Sequence, residues 1–253
     1  MPTVFVGLAG YRDVLRTVGG IMVDKKEALY RLAQKRKSGC WDNYLPISSF
    51  HDGIYECDHV SPYTKSAGNL DADVFLMLQD WSSEDALNGP ICRDSVEYGH
   101  TLSKFTNVNL KCLLQRHFEL PMHQAYGTNL FPFIKRGPMN GKIPRKDMMR
   151  AAIEYALPQI EIVGPRIVIC FGLATFNALR SAVGALYPDK EITRVSSVAK
   201  GIESPFAIGD TSVWLQAHTG RLGQNNRNKG GINRVEDDWS RMANDYSRIA
   251  KID

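Results

Sequence analysis

Four short apolar runs set the tightest limit on what this chain can fold into: DVFLML (73–78), AYGTNLF (125–131), RIVICFG (166–172) and SVWLQAH (212–218). None shows the polar alternation of a strand with one wet face. Each suits a strand covered on both sides, as in a parallel sheet. Helical stretches are predicted between the runs, at about 94–117, 146–163 and 174–185. An earlier helix is expected over 24–37, where Leu29, Leu32 and Ala33 share one face. A last one, about 235–250, opens with Glu236, Asp237 and Asp238, acids that suit a helix N-terminus. Strands that alternate with helices imply an α/β fold, a three-layer α/β/α sandwich around a central four-stranded, mostly parallel sheet. The 253 residues suffice for a single domain, with residues 1–60 as an N-terminal extension. Residues 38–70 have no sustained period and are expected to be irregular.

Composition narrows the class. The apolar runs are far too short to span a bilayer. The first residues have no basic stretch ahead of their apolar ones, so no secretion signal is expected. Five irregularly spaced cysteines (Cys40, Cys57, Cys92, Cys112, Cys170) suit free thiols in a reducing cytoplasm. With 31 basic and 27 acidic residues the net charge is only +4, which permits a polyanionic partner without requiring one.

In open parallel sheets, reactive groups gather at the carboxyl ends of the strands. That rule selects Gln79 and Asp80 after the first run, Asn129 within the second and His218 at the end of the fourth. A carboxylate at Asp80 suits the stabilisation of a cation or the orientation of a water; a helix cap is its ordinary alternative. Asn129 offers a donor and an acceptor, enough to read the edge of a pyrimidine, or else is a satisfied core amide. His218 can donate to a departing anion, or serve structure alone. The stretch 219–235 holds Arg221, Arg227, Lys229 and Arg234 with no acid, among Gln224, Asn225 and several glycines. Such a loop suits phosphates, or is simply a solvated basic loop. Within it Leu222 is either a wedge for a base stack or a residue tucked onto the core. A second basic segment, from Lys135 and Arg136 through Arg150, follows Asn129 and is expected to flank the same edge of the sheet.

These segments together resemble the uracil-DNA glycosylase superfamily. GNLDADVFLMLQDWSSEDALNGP (68–90) is similar to its first motif: Gly68, Asn69, Asp71, Ala72 and Asp73 match the lead of the iron–sulfur branch, and Glu84, Asp85, Gly89 and Pro90 match the tail. Gln79-Asp80 resembles the G-Q-D-P-Y turn of the uracil-excising branch. Thr128-Asn129 is similar to the base-reading strand, GPRIVICFGLATFNAL (164–179) to a core element, and HTGRLG (218–223) to H-P-S-P-L. The likeness covers about residues 60–250. It implies a uracil-DNA glycosylase-like fold with Asp80 and His218 catalytic. Gln79, Trp81, Ser82, Ile91 and Asn129 would line the base pocket. Arg221, Leu222, Gln224, Asn225, Arg227, Lys229, Lys135 and Arg136 would hold DNA, with Glu84 or Asp85 as rival carboxylates.

Departures from the pattern refine these expectations. Cys57 lacks a nearby partner and KRGP (135–138) lacks a thiol, so no iron–sulfur cluster is expected. The spacing of Cys40, His51, Cys57 and His59 fits no standard zinc site. No metal or organic cofactor is expected. Ser82 stands where the uracil branch has a tyrosine that crowds C5, and Ile91 where it has a stacking phenylalanine. The resemblance therefore implies a roomier pocket and a modified pyrimidine as target, such as glucosylated 5-hydroxymethylcytosine in phage DNA. The expected activity is monofunctional base excision by a monomer acting on DNA, in antiviral defence. Rival readings are a conventional uracil-DNA glycosylase, a binding-only member and a nucleosidase on the same scaffold. Deaminase chemistry lacks its paired-cysteine zinc motif.

Overall fold

The computed structural model describes residues 24–188 and 205–249. Helix α1 (Lys25–Ser38) starts where the Asp24 carboxylate accepts the Lys26 amide and closes on a basic last turn, both suited to the helix dipole. Its buried face carries Ala28, Leu29, Leu32 and Ala33, as the period predicts, and also Arg36. That guanidinium is tolerated in the interior because its two terminal nitrogens bond both oxygens of Glu56 and the carbonyls of Cys57 and His59, the last two at 3.0 Å each. It fastens α1 to the segment that leads into the sheet.

The central sheet runs β3 (Tyr126–Phe131), β2 (Val74–Asp80), β5 (Ile167–Phe171), β7 (Thr211–Gln216), β6 (Phe206–Ile208). The first four are parallel, and β6 joins β7 antiparallel at the edge. The sheet thus has five strands, one more than the apolar runs predict. Strand β6 escapes a search for buried runs because two of its three residues are incompletely buried. The Gly209-Asp210 pair that turns β6 into β7 was its available signal. A separate two-stranded ribbon pairs β1 (Tyr44–Leu45) with β4 (Ile134–Lys135).

Helices cover both faces of the sheet. On one, Trp239 of α9 (Arg234–Ile249) stacks on Phe171 at 6.3 Å, beside Gln216 in the facing register position. On the other, Phe176 of α7 (Leu173–Leu186) packs against Phe206. The core is continuous from α1 to α9, so residues 24–60 belong to the same packed body as the rest. The irregular stretch after α1 carries three single 3-10 turns, and Ile47, Phe50 and Tyr55 gather with Leu87 and Ile134 in a second small core.

The helix expected over 94–117 is two: α3 (Arg93–Tyr98) and α4 (Phe105–Phe118), with the short α2 (Glu84–Leu87) before them. Gly99 makes the break. Its φ of 73° is left-handed, and a Cβ there would lie 1.7 Å from the Pro62 carbonyl, so only glycine fits. The stretch expected over 146–163 contains α5 (Arg145–Ala151) and α6 (Leu157–Val163), joined by a π turn just ahead of Pro158. Proline has no amide proton for the regular ladder, and the wider turn accommodates that loss. Among the described residues no helix is long and apolar enough to cross a membrane.

Candidate active site

A cavity of about 980 Å³ opens at the carboxyl ends of β2, β3 and β7. It brings together Gln79, Asp80, Trp81, Ser82, Asn129, His218, Arg221 and Leu222, residues from three separate segments of the sequence. Among the described residues Asp80 is the only carboxylate in its lining. Glu84 instead holds the Gly137 amide and faces Arg136, and Asp85 is exposed outside the cavity.

Strand β2 continues through Asp80, so this carboxylate is the last residue of a buried strand and not a loop acid. Its Oδ2 lies 2.7 Å from the Lys135 ammonium, and the two side chains are 7% and 6% exposed. Lys135 was expected on the DNA-facing edge; it sits inside the cavity. The ribbon of β1 and β4 turns it inward, and a buried ammonium persists only beside an anion and further acceptors. The Met139 carbonyl supplies such an acceptor. A lysine therefore stands in the pocket as an ion-paired ammonium.

Trp81 forms a wall, its Nε1 donating to the Gly99 carbonyl at 2.7 Å and its ring edge-on to Tyr55. Ser82 lines the cavity beside it. Ile91 does not: it is 46% exposed and absent from the lining, while its neighbours Pro90 and Cys92 contribute. Besides Trp81 and Tyr55, the cavity gains aromatic surface from Tyr63 stacked on His100, with ring centroids 4.9 Å apart and planes 27° off parallel. Neither was singled out from the sequence. Tyr63 lies in a stretch without periodicity, and His100 was hidden inside an apparent helix.

Asn129 is buried on β3, in register with Leu78, two residues before Asp80. Ser61 Oγ, which accepts the Tyr63 amide, donates its own proton to Asn129 Oδ1 at 2.6 Å. The Asn129 amide nitrogen has no partner among the described residues.

His218 lies two residues beyond the end of β7. The Gly220 amide donates to its Nδ1 at 3.0 Å, which places the proton of the neutral ring on Nε2. Surrounding protein holds its protonation below the usual histidine range; the Asp80 charge works against this, and Lys104 works with it. The stretch read as a loop after His218 forms helix α8 (Arg221–Arg227), whose Gln224 side chain donates to the His218 carbonyl. Gly223 permits this approach. A Cβ there would lie 2.3 Å from the His218 carbonyl oxygen. Gly223→Ala is therefore expected to push α8 and His218 apart and to lower turnover about 100-fold while the melting temperature changes little, since a displacement of about 1 Å has that weight in catalysis. Unchanged turnover would show that His218 need not hold this position.

The basic residues divide sharply. Arg227, expected to grip DNA, is bound through two nitrogens to Asp238, at 2.6 and 2.9 Å, and ties α8 to α9. Arg136 is drawn toward Glu84 at 3.5 Å. Arg221 lies over the Phe105 ring at the cavity rim. Lys104 and Lys142 are exposed on the same rim with no acidic partner among the described residues; Lys142 belongs to the basic segment expected after Asn129, whereas nothing in the sequence singled out Lys104. Asn225 and Lys229 are exposed beyond it. Leu222 stands 77% exposed at the mouth. The expectation of a leucine tucked onto the core is overturned.

No group of three or more histidine, cysteine or acidic side chains among the described residues is arranged to hold a metal. The five cysteines are unpaired. No protein-family model and no curated protein matches the chain.

Proposed function

We propose that this chain is a DNA glycosylase of the uracil-DNA glycosylase type, which extrudes one base from DNA and hydrolyses its N-glycosidic bond to leave an abasic site. One observation carries the reading: a single carboxylate, Asp80, and a histidine with its proton on Nε2, His218, share one cavity whose mouth bears an exposed leucine. The extruded base enters the cavity, and Leu222 fills the gap it leaves in the stack. As the bond breaks, negative charge grows on the base and positive charge on the sugar. His218 Nε2–H donates to the base oxygen and Asp80 balances the sugar cation and directs water. Lys104, Lys142 and Arg221 meet the phosphates around the mouth.

The target we favour is a pyrimidine with a bulky polar group on C5, such as glucosylated 5-hydroxymethylcytosine in phage DNA, and antiviral defence as the setting. A cavity of about 980 Å³ is far more than a bare pyrimidine fills, being at the upper end of about 300–1,000 Å³ for ligand sites. Ser82, Ser95 and Thr101 add hydroxyls to its wall. The test is base release from duplexes containing uracil, hypoxanthine, 5-hydroxymethylcytosine or glucosylated phage DNA, read by mass spectrometry of the free base. Release of the C5-modified base and not of uracil is expected. Release of uracil alone would return the chain to ordinary base excision repair. Binding without release from any duplex would favour a member that only binds DNA.

A further inference from the structure

A buried ring nitrogen of the cavity wall is left without a partner among the described residues. His100 is 4% exposed, lines the cavity, and its Nε2 has no hydrogen bond among the described residues. The other nitrogen is committed. Ser66 Oγ donates its proton to the Tyr98 carbonyl and so faces His100 Nδ1, 3.3 Å away, as an acceptor. The same Tyr98 carbonyl also lies beside the ring. Two acceptors at Nδ1 place the ring proton there and leave a bare lone pair on Nε2. Burial, reinforced by the charge of Lys111, pushes protonation down to about 4, so the ring is neutral near pH 7. A buried acceptor without a donor is costly, and such atoms in native proteins call for a ligand or a functional reason.

Asn129 complements it. Its Oδ1 already receives the Ser61 proton, so what it chiefly offers a ligand is the pair of N–H donors on Nδ2. The cavity thus presents donors from Asn129 and an acceptor from His100. A 4-aminopyrimidine carries the matching edge, a bare ring nitrogen next to an exocyclic amine. We propose that His100 Nε2 accepts the exocyclic amino group of the extruded base and, with Asn129, selects cytosine-type over uracil-type pyrimidines. The proposal rests on the glycosylase reading and makes His100 a base-reading residue of that same site.

The experiment compares base release from duplexes carrying glucosylated 5-hydroxymethylcytosine and glucosylated 5-hydroxymethyluracil, which share the C5 group and differ at C4. His100→Phe keeps a ring on Tyr63 and removes the acceptor; His100→Gln returns an acceptor oxygen. Wild type is expected to prefer the amino base. His100→Phe should reduce that preference about 10- to 100-fold, the scale on which a site built for a hydrogen bond rejects a substrate that cannot make it, and His100→Gln should recover part of it. Nitrogen-15 NMR of the free protein provides an arm that needs no activity, with the ring proton expected on Nδ1. A proton on Nε2, or an unchanged preference in a folded His100→Phe that still releases base, would overturn the proposal alone. If wild type releases no base from any duplex, the glycosylase reading falls and the proposal falls with it.

Discussion

Asp80→Asn is expected to lower single-turnover base release on the order of 10³-fold while leaving DNA affinity close to that of the wild type. The substitution preserves shape and keeps an oxygen toward Lys135; it removes only the charge. Among the described residues that charge is the single negative centre in the lining of the cavity, and none of them offers a second acid in its place. Positioned groups acting on charge in a transition state contribute roughly 10²–10⁴-fold, which sets the scale. The rate should be read with enzyme in excess over a fluorescent duplex, and affinity by anisotropy, so that binding and chemistry separate. A variant that still releases base within tenfold of the wild type would remove Asp80 from the mechanism. It would return attention to water held by His218 and Gln79.

The second large effect is on stability. Lys135→Met is expected to cost about 3–5 kcal/mol of unfolding free energy, because it strands a buried carboxylate without its cation. The pair is 2.7 Å apart and both side chains are nearly sealed from water, so screening offers little relief. The double variant Asp80→Asn/Lys135→Met should be more stable than Lys135→Met alone, since the neutral amide no longer needs a counter-charge. Urea unfolding of the two singles and the double measures this coupling as a thermodynamic cycle. Additive losses would mean that the two groups do not depend on one another, and that water satisfies each in the folded protein. The pair also bears on the chemistry. On the proposed glycosylase reading, an ammonium beside Asp80 would orient the carboxylate before DNA binds, which would make Lys135 a positioning residue in place of the phosphate contact expected from the sequence.

Much of this architecture was legible without coordinates. The four buried strands announce themselves because a strand covered on both faces is largely apolar, and that demand leaves the runs at 73–78, 125–131, 166–172 and 212–218, on which β2, β3, β5 and β7 form. Parallel strands also point their carboxyl ends the same way. A polar residue at such an end is therefore expected to meet the others, and Asp80, Asn129 and His218 do share one cavity. Strand β6 stayed hidden because a short edge strand need not be apolar.

Charge pairing could not be read in the same manner. Lys135, Arg136 and Arg227 look like Lys104 and Lys142 in a string of letters, since a cation is equally basic whether its partner is a phosphate or a distant carboxylate. Only the packed chain commits Lys135 to Asp80 and Arg227 to Asp238, and leaves Lys104 and Lys142 at the rim without an acid among the described residues. The same holds for the wall of the cavity. Ile91 was chosen by its place in a motif, yet the backbone carries it out to solvent and brings Tyr63 and His100 to the cavity instead. Hydrophobic burial is a property of segments and leaves its period in the sequence. The pairing of one charge, or the tautomer of one ring, is a property of neighbours far apart along the chain, and tertiary structure alone decides it.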